Sequence, residues 1–260
     1  MTSETEISTV PQSVDDFARR LADVHDRMRM AAEKVGRDSS EVRLLAVSKT
    51  VAEDRLRNAV AAGAHELGEN KVQEAARKHQ TLADLDIAWA IIGHLQTNKA
   101  RTVAEIASEF QALDSTRVAE ALDRRLQALG RGLAVYIQVN TSAEESKSGL
   151  IPEDVPGFLK QLRAYSSLQV QGFMTLAANT RDEQRVRSCF RMLRRIRDEA
   201  RDSDPDLVGP GGLSMGMSGD FELAIEEGST VVRVGQAIFG PRPAPHTSYW
   251  PAAFGGHRAD

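Results

Sequence analysis

A lysine at the end of an apolar run is the residue with the clearest chemical potential. The segment "RLLAVSKT", residues 43–50, is typical of a buried strand and stops at Lys49. Such a lysine is either a surface charge leaving the core or an amine held over a pocket. An amine removed from water has a lowered pKa and becomes a nucleophile that can form a Schiff base with an aldehyde or ketone.

Two glycine-containing segments near the end of the chain could bind an anion. "SMGMSGD" covers residues 214–220, and "RVGQAIFG" covers residues 233–240. Free backbone N–H groups and the positive end of a helix dipole favour a phosphate, and glycine lets the backbone approach it. Each pattern by itself is also typical of an ordinary tight loop. Together with Lys49 they indicate a site for a phosphorylated carbonyl compound. Pyridoxal 5′-phosphate (PLP) is the first candidate, and a sugar phosphate in aldolase-like chemistry is the second.

Arg233 helps to separate these two candidates. It lies two residues before Gly235, so both positions fall on the same face of one strand. An arginine there would meet the ring nitrogen of a bound pyridine and keep it unprotonated, which weakens the ring as an electron sink. The alternative for Arg233 is an ion pair with a carboxylate inside the fold.

The elements that must position these residues alternate between helices and strands. Ser13 is a plausible N-cap for a helix that Gly36 ends. Strand-like runs then begin at residues 42, 64, 87, 110, 133, 168, 211 and 230, with amphipathic segments between them. This alternation favours a parallel sheet. Eight short strands within about 200 residues favour an α/β fold, a single (β/α)8 TIM-type barrel with an extra N-terminal helix; an open doubly wound sheet is the alternative.

The domain organisation follows from the same pattern. We expect a loose segment over residues 1–12, the barrel over 13–240, and a Pro/Gly-rich tail over 241–260. Functional residues in such barrels lie at the carboxyl ends of the strands. Polar and glycine residues follow the predicted strands at that end: Lys49, Asn70, Gly93, His94, Asn140, Ser214 to Ser218, Gly235 and Gln236.

Composition excludes several other classes of protein. The formal charge of −4 predicts no strong attraction to nucleic acid or to an anionic membrane. A single cysteine, Cys189, and the absence of a signal-like or spanning apolar run favour the cytoplasm. No cluster has the spacing of metal ligands, so we expect no metal. The arginine-rich run at residues 185–202 alternates with apolar residues at helical spacing, which is typical of a solvated helix face rather than a nucleic-acid surface.

Seven motifs in register resemble one known family. They are "LLAVSKT", "GENKVQE", "IGHLQTNK", "NTSAEESKSG", "GFMTL", "LSMGMSGD" and "STVVRVGQAIFG". Together they resemble the pyridoxal-phosphate-binding homeostasis proteins, the YggS/PROSC-like family, which is related to the barrel domain of alanine racemase. The resemblance covers residues 42–240, nearly the whole of the predicted barrel.

The resemblance implies a set of cofactor-binding residues and no catalytic ones. In it Lys49 carries PLP as a Schiff base, Arg233 faces the pyridine nitrogen, and the phosphate and pocket contacts come from Ser218, Gly235, Gln236, Asn70, Met174 and Ser214. Family members buffer and deliver PLP without robust catalysis, so the implied partners are PLP and the apo forms of PLP-dependent enzymes. Many relatives have a small hydroxyl residue in place of Gln236, so one side-chain contact to phosphate is lost here.

A PLP-dependent amino-acid racemase is the alternative function. A two-base racemase needs an acid-base group on each face of the substrate carbon. In alanine racemase the opposite base is a tyrosine from a second domain, which we expect to be absent here. The tyrosines of this chain are predicted to lie in a strand (Tyr136), a helix (Tyr165) and the tail (Tyr249). None is a natural second base, and without the second domain we expect a monomer.

Overall fold

The computed structural model describes residues 10–241 and contains one closed parallel barrel. Its strands are β1 Arg43–Val47, β2 Glu66–Glu69, β3 Ala88–Ile91, β4 Glu109–Leu113, β5 Leu133–Gln138, β6 Leu168–Met174, β7 Gly212–Met217 and β8 Val231–Val234. Each strand pairs with the next, and β8 pairs with β1 through positions such as Leu44 and Val232. The predicted TIM-type barrel is confirmed, and the open-sheet alternative is wrong.

Helices surround this barrel and connect its strands. They are α1 Val14–Lys34, α2 Glu53–Ala61, α3 Val72–Thr81, α4 Ala100–Ile106, α5 Thr116–Leu129, α6 Val155–Leu162, α7 Glu183–Ser203, α8 Pro205–Val208, α9 Phe221–Glu226 and α10 Gln236–Phe239. Each strand begins within two residues of its predicted start. The prediction succeeds because apolar runs and amphipathic segments differ in periodicity, which sequence alone reveals.

The extra helix α1 packs beside the last elements of the barrel. The Ser13 hydroxyl accepts a hydrogen bond from the Asp16 amide, and the Asp16 carboxylate accepts one from the Ser13 amide, so a capping box begins the helix. The buried Phe17 ring lies 5.8 Å from the Phe239 ring in α10. Gly36 follows the helix with a φ of 69°, as the sequence predicts. The helix therefore braces the short α10 after β8.

Two residues of the predicted loose N-terminal segment, Pro11 and Gln12, accept hydrogen bonds from α2. Arg55 Nε donates to the Pro11 carbonyl at 3.0 Å, and Asn58 Nδ2 donates to the Gln12 carbonyl at 2.6 Å. Residues 1–9 of that segment and the tail from residue 242, which includes Tyr249, lie outside the described residues.

Charged side chains fill the barrel at the amino-terminal ends of its strands. Arg43 of β1 forms an ion pair with Glu66 of β2 and donates to Glu109 Oε2 of β4 at 2.7 Å. Because β1 and β4 are not neighbours in the barrel, the second contact crosses its interior. This end is thus occupied by side chains that bind one another, and the opposite end is the one available for a ligand.

Two arginines of α7 form ion pairs with neighbouring carboxylates instead of facing only solvent. Arg187 pairs with Glu226 and Glu227, and Arg191 also pairs with Glu227. The side chain of Arg187 is only 14% exposed. These ion pairs link α7 to the end of α9. They also neutralise part of the positive charge that the arginine-rich run would otherwise offer to the phosphates of a nucleic acid.

The capping box of α1 gives a test of how much this helix contributes. We expect Ser13→Ala to lower the free energy of unfolding by about 1 kcal/mol, since one N-terminal amide loses its acceptor. Urea denaturation measures the change. The matched control is Ser188→Ala at an exposed position within α7, where the hydroxyl donates to the Arg185 carbonyl and caps no helix end. Equal losses in both variants would contradict a specific capping role.

Candidate functional site

A pocket at the carboxyl ends of β1 and β8 contains three of the predicted site residues. It is partly open and is lined by Lys49, Gly235 and Gln236 among others. Lys49 follows β1, and Gly235 and Gln236 follow β8, so the pairing of these two strands brings the amine and the glycine loop together.

Lys49 lies in a tight turn rather than on the strand itself. The Val51 amide donates to the Ser48 carbonyl at 3.0 Å, which closes a four-residue turn around Lys49. Thr50, the third residue of the turn, has a φ of 65°, a left-handed conformation that β-branched residues rarely adopt. Lys49 itself is half-buried. From this turn Lys49 contributes to the lining of the pocket.

Backbone amides after β8 converge on one hydroxyl. Ser218 Oγ accepts hydrogen bonds from the Gly235 amide at 3.1 Å and the Ala237 amide at 3.4 Å. These donors begin α10, so they carry the partial positive charge of a helix start. A Cβ on Gly235 would lie 3.2 Å from the Val47 carbonyl oxygen, so glycine permits the close approach of β8 to β1. The arrangement presents donors to an oxygen acceptor, as phosphate binding requires.

Arg233 is buried beside neutral oxygens. Its Nη1 donates to Ser214 Oγ at 2.6 Å and its Nη2 donates to the Thr175 carbonyl at 2.7 Å. Within residues 10–241 this guanidinium bonds no carboxylate, so the alternative of an internal ion pair is wrong. Burial lowers the pKa of Arg233 to about 10, which leaves it charged at neutral pH.

A chain of side chains links Arg233 to the far end of the barrel. The Ser214 hydroxyl donates to Gln111 Oε1 at 2.6 Å, and Gln111 Nε2 donates to Glu109. Because Ser214 is on β7 and Gln111 on β4, this contact also crosses the interior. Sequence reasoning missed Gln111, although a glutamine inside the apolar run "FQAL" was a usable signal. The chain fixes the orientation of the Ser214 hydroxyl and of the arginine that it contacts.

Asp220 is a second residue that sequence reasoning did not single out. Its carboxylate accepts the Met217 amide at 2.6 Å, so it shapes the loop that carries Ser218. The side chain is almost fully buried, and burial raises its pKa to about 7, against the lowering effects of the Met217 amide and the Arg233 charge. Its place in the motif "SMGMSGD" was the available signal.

Asn70 and Met174 lie outside the pocket that contains Lys49. Asn70 is exposed and lines a wider, open pocket with His94. A Cβ on Gly93 would collide with the Asn70 backbone, so glycine allows these two loops to touch. Met174 is buried and pairs in register with Ser214. The structure therefore groups Lys49 with the residues after β8, Met174 with Ser214 and Arg233, and Asn70 with His94.

His94 and the described tyrosines occupy distinct parts of the barrel. His94 is 57% exposed, with Nδ1 3.6 Å from the Asp114 carboxylate, so it is a rim residue. Tyr136 lies in β5 as predicted; burial and the Glu109 charge raise its pKa. It therefore belongs to the ion-paired amino-terminal end. Tyr165 lies in the connection after α6, and its prediction as a helical residue was wrong.

Comparison with known proteins defines first a class and then a family. The model of the alanine racemase N-terminal domain matches residues 20–243, which together with the barrel assigns the chain to that class of α/β barrel. The pyridoxal phosphate homeostasis protein of Pseudomonas aeruginosa is 40% identical over 226 residues, covering 87% of this chain and 96% of that protein. That of Aquifex aeolicus is 38% identical over 223 residues, covering 86% and 97%. The chain belongs to the pyridoxal phosphate homeostasis protein family, as the seven motifs predict.

Solved structures agree with this assignment. PipY of Synechococcus elongatus PCC7942 superposes with a TM-score of 0.77 without PLP and 0.75 with PLP bound. The two comparisons give 36% and 35% identity, and each covers 86% of this chain and all of PipY. Alanine racemase from Corynebacterium glutamicum has a TM-score of 0.64 at 16% identity, covers 93% of this chain and 65% of the racemase, and thus shares the fold alone.

Two further observations concern only the described part of the chain. Between residues 10 and 241, no helix is both long and apolar enough to cross a membrane. Over the same range, no three His, Cys, Asp or Glu side chains are grouped closely enough to hold a metal ion.

The raised pKa of Asp220 predicts a pH-dependent stability. The folded-state pKa of about 7 exceeds the usual value of 3.8, so the folded protein retains a proton that the unfolded chain has lost. This difference lowers the free energy of unfolding of the wild type as pH rises between those values. We expect Asp220→Asn to gain stability relative to wild type, on the order of 2 kcal/mol between about pH 5 and pH 8. Urea denaturation of the PLP-free proteins checks this, and a pH-independent difference would contradict it.

Proposed function

We propose that this protein binds PLP as a Schiff base of Lys49 and serves in intracellular PLP homeostasis and delivery, without robust catalysis. The observation that carries the proposal is the shared pocket of Lys49, Gly235 and Gln236 at the open end of the barrel. A carbonyl group and a phosphate on one small molecule match an amine and a set of backbone donors that line one pocket. The names of the relatives, and the PLP bound to PipY, support the same ligand.

The phosphate group of PLP would lie at the start of α10. The Gly235 and Ala237 amides, which already converge on Ser218 Oγ, would donate to its oxygens, and the Ser218 hydroxyl would turn to donate as well. Gln236, exposed at the first position of α10, would supply its backbone amide. The donors are fixed before binding, so little ordering is required when phosphate arrives.

Arg233 would hold the pyridine ring from inside the barrel. PLP supplies an aldehyde and an electron-withdrawing ring, and a charged arginine at the ring nitrogen keeps that nitrogen unprotonated. The bonds from Arg233 to Ser214 and Thr175 set the position of the guanidinium. An unprotonated ring is a weak electron sink, which favours holding the cofactor over carbanion chemistry.

The positions of the described tyrosines also favour a carrier over a racemase. A second base must reach the face of the substrate carbon opposite Lys49. Tyr136 belongs to the ion-paired end of the barrel, and Tyr165 lies in the connection that leads into β6 from its amino-terminal side. Neither is placed at the carboxyl ends of the strands, where Lys49 lies. The carrier would act as a monomer in the cytoplasm, with apo PLP-dependent enzymes as its recipients.

Substitution of Lys49 tests the proposal directly. We expect wild-type protein mixed with PLP to show a Schiff-base absorbance band that borohydride fixes covalently, with the label on the Lys49 peptide in mass spectrometry. Lys49→Ala should lose the band and the label because no amine remains over the pocket. Lys71→Ala removes a lysine from the neighbouring pocket and should retain both.

Three other outcomes would overturn parts of the proposal. No band in the wild type would remove PLP as the ligand and return Lys49 to aldolase-like chemistry or to a surface charge. Label on another lysine would remove Lys49 as the amine. Steady turnover of a D- or L-amino acid that Lys49→Ala abolishes would replace the carrier with a racemase.

The proposed phosphate contacts predict that substitutions at Ser218 and Gln236 change the affinity for PLP in opposite directions. We expect Ser218→Ala to weaken PLP binding by roughly tenfold, since a hydrogen bond to a charged group is lost. Gln236→Ser adds a hydroxyl at the start of α10 and should strengthen binding several-fold. Absorbance titration with PLP measures both, and titration with pyridoxal, which lacks the phosphate, is the control. Equal effects on PLP and pyridoxal would place the phosphate elsewhere.

A further inference from the structure

A largely buried ionic cluster contacts the turn of Lys49; only Glu74 among its members is partly exposed. Lys78 of α3 has no solvent exposure and donates from Nζ to Glu69 Oε1 at 2.6 Å, to Glu74 Oε1 at 2.8 Å and to the Ser48 carbonyl at 2.8 Å. The Ser48 hydroxyl donates to the same Glu69 oxygen at 2.7 Å. We call Lys78, Glu69, Glu74 and Ser48 the turn cluster.

The turn cluster is poorly suited to stabilising the fold. Burial raises the pKa of Glu69 even though Lys78 and Ser48 act to lower it, and the second oxygen, Oε2, is buried without a hydrogen bond from residues 10–241. Taking charges out of water is costly, and apolar residues of the same volume often stabilise a protein as well or better. A buried amine with two carboxylates is therefore better explained by the backbone conformation that it holds in place than by a gain in stability.

The contacts of the turn cluster with the backbone fall on the turn that contains Lys49. The cluster binds two of the four residues of the turn: Lys78 holds the Ser48 carbonyl, and Glu74 Oε1 accepts the Thr50 amide at 2.7 Å. Burial acts to raise the pKa of Glu74, but the bonds from Lys78 and the Thr50 amide together lower it. Lys49 lies between the two anchored residues.

The conformation of Thr50 explains why anchors are needed. Its φ of 65° is found mainly in glycine and asparagine, and a β-branched residue there stores strain that its surroundings must hold. Without the bond to Glu74 the exposed Thr50 would relax toward a negative φ, which would turn the preceding peptide and redirect Lys49. Strain of this kind is typical of functional sites.

We propose that Lys78 and Glu74 are positioning residues that hold the Lys49 turn in its left-handed conformation and so aim the Lys49 amine at the pocket. The inference deepens the proposed function, since it concerns how the same amine is presented to PLP. It predicts that loss of either anchor affects the Thr50 amide and the presentation of Lys49 beyond any change in the stability of the barrel.

The first experiment measures the turn without any cofactor. Amide hydrogen exchange by NMR on the PLP-free protein follows Thr50 and, as a reference for global stability, Val135 and Ile137 in β5. We expect Glu74→Ala and Lys78→Met to speed exchange at Thr50 roughly tenfold or more relative to the β5 amides. Glu74→Gln keeps an acceptor oxygen and should retain most of the protection.

The second experiment measures the amine with PLP itself. In absorbance titrations we expect Glu74→Ala and Lys78→Met to bind PLP roughly tenfold more weakly and to be labelled more slowly at Lys49 with borohydride. Glu74→Gln should remain within about threefold of wild type. The matched control is Arg131→Met, which removes a half-buried cation bonded to the Ala104 and Ala107 carbonyls where α4 leads into β4.

The outcomes separate this inference from the proposed function. Unchanged exchange at Thr50 in folded Glu74→Ala and Lys78→Met proteins would overturn it. Equal losses of PLP affinity in Glu74→Ala, Glu74→Gln and Arg131→Met would overturn it too, because they would reveal a general effect of stability. A wild type that forms no Schiff base would end the proposed function, while the exchange data would still decide whether the turn cluster holds the turn.

Discussion

The pairing of β8 with β1 is the interaction on which the candidate site depends. It joins the first and last strands of the barrel, so that Lys49 and Gly235, far apart in the chain, line one pocket. The glycine at 235 belongs to the same constraint, since a side chain there would press on the Val47 carbonyl. Helix α1 packs on α10, and the short segment before it bonds to α2. Both contacts cover the β8–β1 pair from outside the barrel.

The interior of the barrel is divided between two kinds of polar contact. At the amino-terminal end, Arg43 and its carboxylates neutralise one another. Toward the other end, Arg233 remains charged among neutral oxygens. Gln111 and Ser214 connect the two regions. A buried cation without a bonded carboxylate is costly unless something compensates it. For Arg233 the compensation comes from its bonds to Ser214 and Thr175 and from the nearby Asp220 charge.

The contacts around Lys49 support the proposed role of holding a ligand. Lys49 lies in a turn whose Ser48 carbonyl bonds to Lys78 and whose Thr50 amide bonds to Glu74. The Gly235 and Ala237 amides after β8 both donate to Ser218. Such preorganisation lowers the entropic cost of binding. Catalysis at a substrate carbon would need a second acid-base group across the pocket, and the described tyrosines lie elsewhere. These features support the proposed carrier function.

The sequence by itself determined the order of elements, the helix limits at Ser13 and Gly36, and the presence of an amine and glycine loops on one rim. These follow from periodicity and local backbone preference, which short stretches of chain carry in full. The seven motifs also carried the family. Barrel closure needed the tertiary structure, because a parallel sheet can close or stay open with the same local pattern.

Only the tertiary structure decided which polar residues meet. Gln111 with Ser214, Lys78 with the Lys49 turn, and the burial that raises the pKa of Asp220 all join parts of the chain that no local pattern relates. The structure likewise separated Asn70 from the Lys49 pocket and moved Tyr165 out of a helix. The physical reason is that burial and long-range hydrogen bonds depend on how helices and strands pack, which residue spacing does not encode.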